Sequence, residues 1–433
     1  MRHINRFALA LVATVAASAG AQQAITIQHI RPADQRGVNM FEPSKEDTVT
    51  FQGTRMVFGG AFRQDFQGLG HSNTATARPV TTAGVTTDAN QLISMGHGFN
   101  NATANLNIDV QLVKGVRIAM TSYLSARHHN ETWVKDGYAL IDDSPIDNPT
   151  LKAIMSHTTL KVGHFEINYG DGHFRRTDNG SAMYNPFVGN YILDAFSTEV
   201  GSELYFHDGW WLAMAGVTNG EIRGMVLAPE KRAPAFLGKI GIDRHVNSDL
   251  RVRMMLSAIS QSRSANQTLY GGDRGGSPYF DVLENTTSSE SANAWSGEIR
   301  NPLTNSVQGQ VFNPFIKFKG AEFFGQFERA QGTNGGTETT KRKISQQVYE
   351  GLYRFGGDQY YVGGRYINFD GRLFGMTDDV NVNRYQVGGG WFVTRNLLAK
   401  GEWVNQNYNN FPTTDIRNGG RFKGFMFSGA VSF

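Results

Sequence analysis

Residues 383 to 433 constrain the fold most. Tyr385, Val387, Gly389, Trp391 and Val393 alternate with Arg384, Gln386, Gly388, Gly390 and Phe392. After a polar break at Thr394-Arg395-Asn396, Leu397, Ala399, Gly401 and Trp403 alternate with Leu398, Lys400, Glu402 and Val404. The last run places Phe425, Phe427, Gly429, Val431 and Phe433 on one face and Met426, Ser428, Ala430 and Ser432 on the other. A period of two over such lengths is a strand signal. One aromatic face and one small or polar face suit a strand with lipid on one side and a wet lumen on the other. The edge of a soluble sandwich could carry one such strand, but the pattern recurs along the whole chain.

Residues 1–21 read as a secretory signal peptide. Arg2, His3 and Arg6 precede an apolar run from Phe7 to Ala17, and Ala19-Gly20-Ala21 supplies small residues before Gln22. Beyond it no run approaches the ~18 apolar residues of a spanning helix, and mean hydropathy is −0.36. The 50 glycines and 12% aromatic content exceed ordinary glycine usage and suit a wall of girdle aromatics with glycine between them. Cysteine is absent, which excludes disulfides and thiol chemistry. A net charge of +3 excludes a strongly basic nucleic-acid binder.

Residues 22–54, with Arg31-Pro32, Arg36-Gly37 and Glu42-Pro43, are poorly periodic and read as a lead-in or small plug. Strands are expected from Arg55 onward, with Met56, Phe58, Gly60 and Phe62 facing one way. Further segments are expected near 102–112, 115–126, 151–160, 163–170, 195–206, 210–217, 235–243, 250–262, 309–318, 320–329, 345–354, 359–368, 384–393, 397–408 and 421–433. The stretches 128–150, 171–194 and 263–308 are left as long loops. The expected fold is all-β: a transmembrane antiparallel barrel of about 16 strands over 55–433, with short periplasmic turns and long extracellular loops. A barrel of this size encloses an aqueous channel. A chain ending in an aromatic residue on such a strand is similar to outer-membrane barrels, whose terminus is read by the barrel-assembly machinery, so Phe433 is the expected assembly signal.

Three stretches resemble one family. Leu160-Lys161-Val162-Gly163-His164-Phe165 through Tyr169-Gly170, the run WLAMAGVTNG from Trp211 to Gly220, and Lys400-Gly401-Glu402-Trp403-Val404-Asn405-Gln406 are similar to strands of the phosphate-selective porin O and P family, in the same order. The resemblance implies a sixteen-stranded porin in the outer membrane of a Gram-negative-type bacterium. It also implies a homotrimer among outer-membrane lipid and lipopolysaccharide. The dense arginine ladder of the phosphate-specific members is missing.

Sorting the strands by face puts Arg63, Arg117, Lys239, Arg251, Arg253, Lys317, Glu350, Arg354, Arg365, Arg384, Lys400 and Glu402 on the lumen side. On the lipid face such charges would cost ~2–4 kcal/mol each at the midplane. Cations modestly outnumber carboxylates, which predicts a weak preference for anions. The loop 171–194 resembles the one that folds inward and narrows porin channels, which would place His173, Arg175, Arg176 and Asp178 at the constriction. The loop 263–308, including Arg274, is expected to stay outside. No catalysis is expected. In Gly70-His71-Ser72-Asn73 the His and Ser are adjacent, so on a strand they point to opposite faces. His128-His129 lacks further ligands for a metal, no nucleotide loop opens a helix, and no cofactor is implied. The expected function is passive diffusion of small hydrophilic solutes or anions. The alternatives are a structural or adhesive barrel using its long loops, and a ligand-specific transporter plugged by residues 22–54.

Overall fold

The computed structural model describes residues 27–43, 45, 49–125, 132–222, 225–289, 296–336 and 338–433. The expected signal peptide and the His128-His129 pair lie outside these residues. Sixteen strands form the wall: β1 (Arg55–Ser72), β2 (Thr103–Val113), β3 (Val116–Ser125), β4 (Thr132–Ile141), β5 (Thr158–Glu166), β6 (Thr198–Asp208), β7 (Trp211–Thr218), β8 (Ala235–His245), β9 (Leu250–Gln261), β10 (Ser306–Phe318), β11 (Ala321–Thr333), β12 (Arg342–Phe355), β13 (Tyr360–Gly371), β14 (Val380–Thr394), β15 (Leu397–Asn409) and β16 (Arg421–Ser432). Each pairs antiparallel with its sequence neighbours, and β1 pairs with β16 from Ala61↔Ser432 to Ser72↔Arg421, closing the barrel. Closure leaves no free sheet edge. A two-residue stub, Gly98–Phe99, also pairs with β1, and Pro79–Thr82 pairs with Val85–Asp88 as a separate hairpin.

Alternation fixes inside and outside. Along β14, Tyr385 and Val387 are 47% and 61% exposed, whereas Arg384 and Gln386, which alternate with them, are 0% and 1% exposed. Rings in contact circle part of the outer wall. Phe327, Tyr349, Tyr366 and Tyr385 make one tier, and Phe355, Tyr360 and Trp391 make a lower one. An apolar wall with aromatic tiers, whose backbone donors and acceptors are satisfied within the sheet, is what a bilayer tolerates.

One end of the barrel carries tight connections, such as Gly209-Trp210, Lys319-Gly320 and Arg395-Asn396; the other carries the long loops. Two expectations fail locally and cancel in the count. The stretch 128–150 contains strand β4, hidden because a bulge sets both Lys135 and Asp136 between outward Val134 and Gly137, which breaks the alternation. The pair expected at 151–160 and 163–170 is one helix and one strand. Helix α1 (Pro149–Met155) starts behind Asn148, whose side chain accepts from the Leu151 N–H, with proline in its first turn. Strand β5 follows, and the chain leaves the wall after Glu166.

Candidate functional site

The lumen is occupied by the chain itself. Residues 167–197 leave β5, run through the barrel and return to β6 almost entirely buried. Backbone at that depth needs partners for every N–H and C=O, and inward side chains of the far wall supply them. The Lys400 ammonium donates to the carbonyls of Ala182, Asn185 and Phe187, each at 2.8 Å. Arg365 donates to the Gly189 carbonyl at 3.0 Å. Gln346 both accepts from the Leu193 N–H and donates to its carbonyl. Glu402 accepts from the Val188 N–H at 2.9 Å and from the Tyr279 hydroxyl at 2.6 Å. Ala182, Met183 and Phe187 pack on Leu352, Tyr361, Phe392, Leu398 and Ala430 of the wall. Gly180 sits where a Cβ would meet the Ala104 backbone at 2.6 Å, so the loop tip abuts β1 and β2.

The described parts of the expected loop 263–308, residues 263–289 and 296–305, also enter, contrary to the sequence expectation. Leu269, Tyr270, Tyr279, Val282 and Leu283 are buried in the main core cluster. Arg274 bonds the buried Thr198 hydroxyl instead of meeting solvent outside. The reason lies in this loop's composition: its tyrosines and aliphatics need an apolar seat, and its carbonyls find wall donors, as Gly297 does on Arg384 at 2.9 Å.

The N-terminal segment lies across the short-turn mouth. Gln28 N–H donates to Gln111, Gln35 N–H to the Arg395 carbonyl, and the Gln35 side chain to the Asp358 carbonyl. Arg31 stacks on Tyr184 at 3.6 Å and donates to the Phe174 carbonyl, joining this segment to the loop above it. Glu42 completes a buried cluster: Lys239 lies 2.7 Å from both Glu42 and Asp171, and Arg253 lies 2.6 Å from Glu42 and 2.7 Å from Asp171. Burial pushes the Glu42 carboxyl up, but Arg253 and Lys239 outweigh it and hold it well below the usual carboxylate range. His173 goes the other way: burial lowers it and outweighs the Glu166 carboxylate 3.1 Å from its ring.

The remaining inward charges are largely paired. Arg175 and Arg365 share Glu350, Arg354 meets Glu322 at 2.8 Å, Arg251 meets Asp243 at 2.7 Å, and Lys317 meets Asp358 at 3.0 Å. Arg63 lies 3.4 Å from Asp65, and Arg176 binds Asp194. Arg384 donates to the carbonyls of Asn190 and Gly297.

A cavity of about 390 Å³ survives between the N-terminal segment, the inward loop and the β1–β6 side of the wall. Of the four residues expected at a constriction, His173, Arg176 and Asp178 border it; Arg175 turns instead to Asn39 and Glu350. Of the twelve expected lining residues, all lie inward, yet Arg117 is the one that borders this cavity, beside Asp109 at 2.6 Å. The other eleven do not border this cavity, and their inward side chains meet the partners given above. Arg31 of the N-terminal segment, and Lys135 and Asp136 from a stretch expected to be a loop, complete the lining. Lys135 bridges Glu166 and Asp178. Its signal was present as the charged break in the β4 pattern. The cavity's charges balance closely, with Arg31, Arg36, Arg117, Lys135, Lys161 and Arg176 against Asp34, Glu42, Asp109, Asp136, Asp142, Glu166 and Asp178. His71, at the end of β1 and not in a loop, bonds the Leu283 N–H and the Ile93 carbonyl.

No family model matches the chain, and no curated protein matches it. Solved structures do. An anion-selective porin from Comamonas acidovorans is 12% identical over 88% of this chain and 100% of its own, with a TM-score of 0.51. OprB of Pseudomonas putida, in its high-pH structure, is 10% identical over 87% and 94%, with a TM-score of 0.51. The outer membrane channel DcaP of Acinetobacter baumannii is 9% identical over 88% and 98%, with a TM-score of 0.50. The likeness is one of fold: a closed barrel of the kind found in outer-membrane porins and channels.

Proposed function

We propose that the chain is an outer-membrane channel of the porin kind, passing small hydrophilic solutes by diffusion, without catalysis. The observation that carries this reading is the conjunction of a closed barrel with an apolar, aromatic-tiered exterior and a polar cavity bordered by an inward loop. The geometry supports no marked preference for anions, because the wall cations are bound to carboxylates or carbonyls and the charges bordering the cavity nearly cancel. Nothing favours phosphate specificity. The channel assembles as a homotrimer. Support beyond the family resemblance comes from the outer face of β2–β5, where Leu106, Leu112, Met120, Val134 and Val162 are exposed and no Phe, Tyr or Trp appears among the described residues. Girdle aromatics serve a wall that meets lipid headgroups, and a face against another copy has no use for them.

A second reading has its own observation: residues 27–45 are bonded across the short-turn mouth at Gln111, Asp142, Asp358 and Arg395. In that reading this segment is a plug. Planar-bilayer recording of the mature chain and of a variant lacking residues 22–54 separates the two. Steady open conductance in both supports the porin. Conductance that appears only after the deletion supports the plug, and closed traces in both leave the adhesive barrel.

A further inference from the structure

The outer wall above the upper aromatic tier changes character. Outward positions of β10–β12 become polar and basic: Gln308, Gln310, Arg329, Gln331 and Lys343, with Lys341 just before β12. Lys343 faces Gln331 across the β11–β12 pair, and Arg329 faces Ser345 two residues along, so the two cations are diagonal neighbours. Lys341 donates to Gln308 at 3.0 Å, which brings a third cation to the same patch. All three are exposed, and among the described residues none has a carboxylate at ion-pair distance. The neighbouring rim arginines behave otherwise: Arg342 is held by Glu338 and Arg372 by Asp379.

The patch opens into a cleft of about 500 Å³ between the loops that follow β11 and β13, lined by Lys341, Arg342, Lys343 and Arg372 against Glu338 and Asp379, with Phe374 beside it. Cations exceed carboxylates there by two. Phe374 is 60% exposed, an apolar side chain placed beside the charges. The nearest outward carboxylate on the wall, Asp370, is engaged by the amides of Asn368 and Asn381. Next to it Asn381, Asn383 and Asn407 form a bonded run of amides on the outer surface.

Height decides what such a patch meets. Lys343 lies twelve residues along β12 from Phe355 of the lower aromatic tier. At ~3.3 Å per residue and a strand tilt of ~40°, that is roughly 30 Å above it, just beyond the ~25 Å apolar band of such barrels. Arg329 and Lys343 therefore sit at the level of headgroups on the long-loop side.

We infer that this cleft and its basic rim bind the phosphorylated sugar headgroup of an outer-leaflet glycolipid. The unpaired cations take the phosphates, and the amide run meets sugar hydroxyls. The inference rests on the outer-membrane reading, which sets the long loops outward. The full mature chain, purified in detergent, is titrated with bisphosphorylated lipid A, with the same glycolipid stripped of phosphate, with a zwitterionic phospholipid and with inorganic phosphate, and bound lipid is read by native mass spectrometry. The triple variant R329Q/K341Q/K343Q is compared with K319Q, an exposed lysine at the opposite mouth. At ~5-fold per lost cation, retention of lipid A should fall on the order of 100-fold in the triple variant and stay unchanged in K319Q. Heat-modifiable migration should be the same in all three proteins. Equal retention by the triple variant overturns the inference, as does equal binding of the dephosphorylated lipid, or binding of inorganic phosphate with no preference for the lipid. Membrane fractionation is read separately, and a chain that does not reach the outer membrane refutes that reading and removes this occupant with it.

Discussion

An inward cation on a barrel wall can face a passing solute or face the protein's own backbone, and most here do the second. Lys400 spends its three donors on three carbonyls of the inward loop, and Arg384 holds two loops at once. The face of each residue was readable from alternation; its partner was not, because a period of two says nothing about what fills the lumen. In the proposed channel, selectivity belongs to residues on the cavity. Arg117→Gln leaves Asp109 unbalanced there, and the reversal potential in a salt gradient should move toward cations. A unit charge at 4 Å in water is worth about 1 kcal/mol, or roughly fivefold in permeability ratio, and the effect should shrink as salt rises. Lys400→Gln should leave the potential in place while loosening residues 182–187, read as faster hydrogen exchange; a large shift in reversal potential with Lys400→Gln would refute this division. Glu42 gives a pH dependence. Its carboxyl is held low when the N-terminal segment is docked against Lys239 and Arg253, beside Asp171 and Asp243, and returns to an ordinary ~4.3 when the segment is free. Docking is thus fully supported above that ordinary value and is lost as pH falls toward the docked one. Conductance through the short-turn mouth should rise in acid, and Glu42→Gln should show the raised level already at neutral pH, since removing one partner of a buried pair costs about 3–5 kcal/mol. Identical pH profiles for the two proteins would show that this contact does not hold the segment.

At the scale of strands and loops, the sequence was legible wherever alternation ran unbroken. The strands from β6 onward fall within a few residues of expectation, and the paired faces of β14, β15 and β16 are as read. β4 was lost because its bulge places Lys135, Asp136 and Gly137 in a row that resembles a turn. The inward course of 263–289 and 296–305 was lost because their apolar residues have no period; only their number argued against a solvated loop. The last strand carries its own test. Phe433 exchanges two backbone hydrogen bonds with Gly60, at 2.9 and 3.0 Å, and its ring is 57% exposed on the outer face. Deleting it removes the end of the seam and the outward aromatic together. Export to the periplasm should continue while outer-membrane yield, measured by fractionation and heat-modifiable migration, falls severalfold. Undiminished yield would mean that the aromatic end is not the assembly signal.

For the molecule as a whole, the inward segments change what kind of object the barrel is. A sixteen-stranded ring with an empty middle resists opening at its seams but yields readily to squeezing, since each strand pair can flex a little without breaking a hydrogen bond. Here the middle is spanned. The loop that leaves β5 and returns to β6 is fastened to β12, β13, β14 and β15, and the loop between β9 and β10 shares the Arg384 anchor with it. The N-terminal segment ties the short-turn rim from the β2–β3 side to the β14–β15 side. These are spokes, and they make a hoop into a wheel: sideways pressure from the bilayer on one arc of the wall is carried across the interior to the opposite arc, and the bore keeps its cross-section while the membrane around it thickens, thins or crowds.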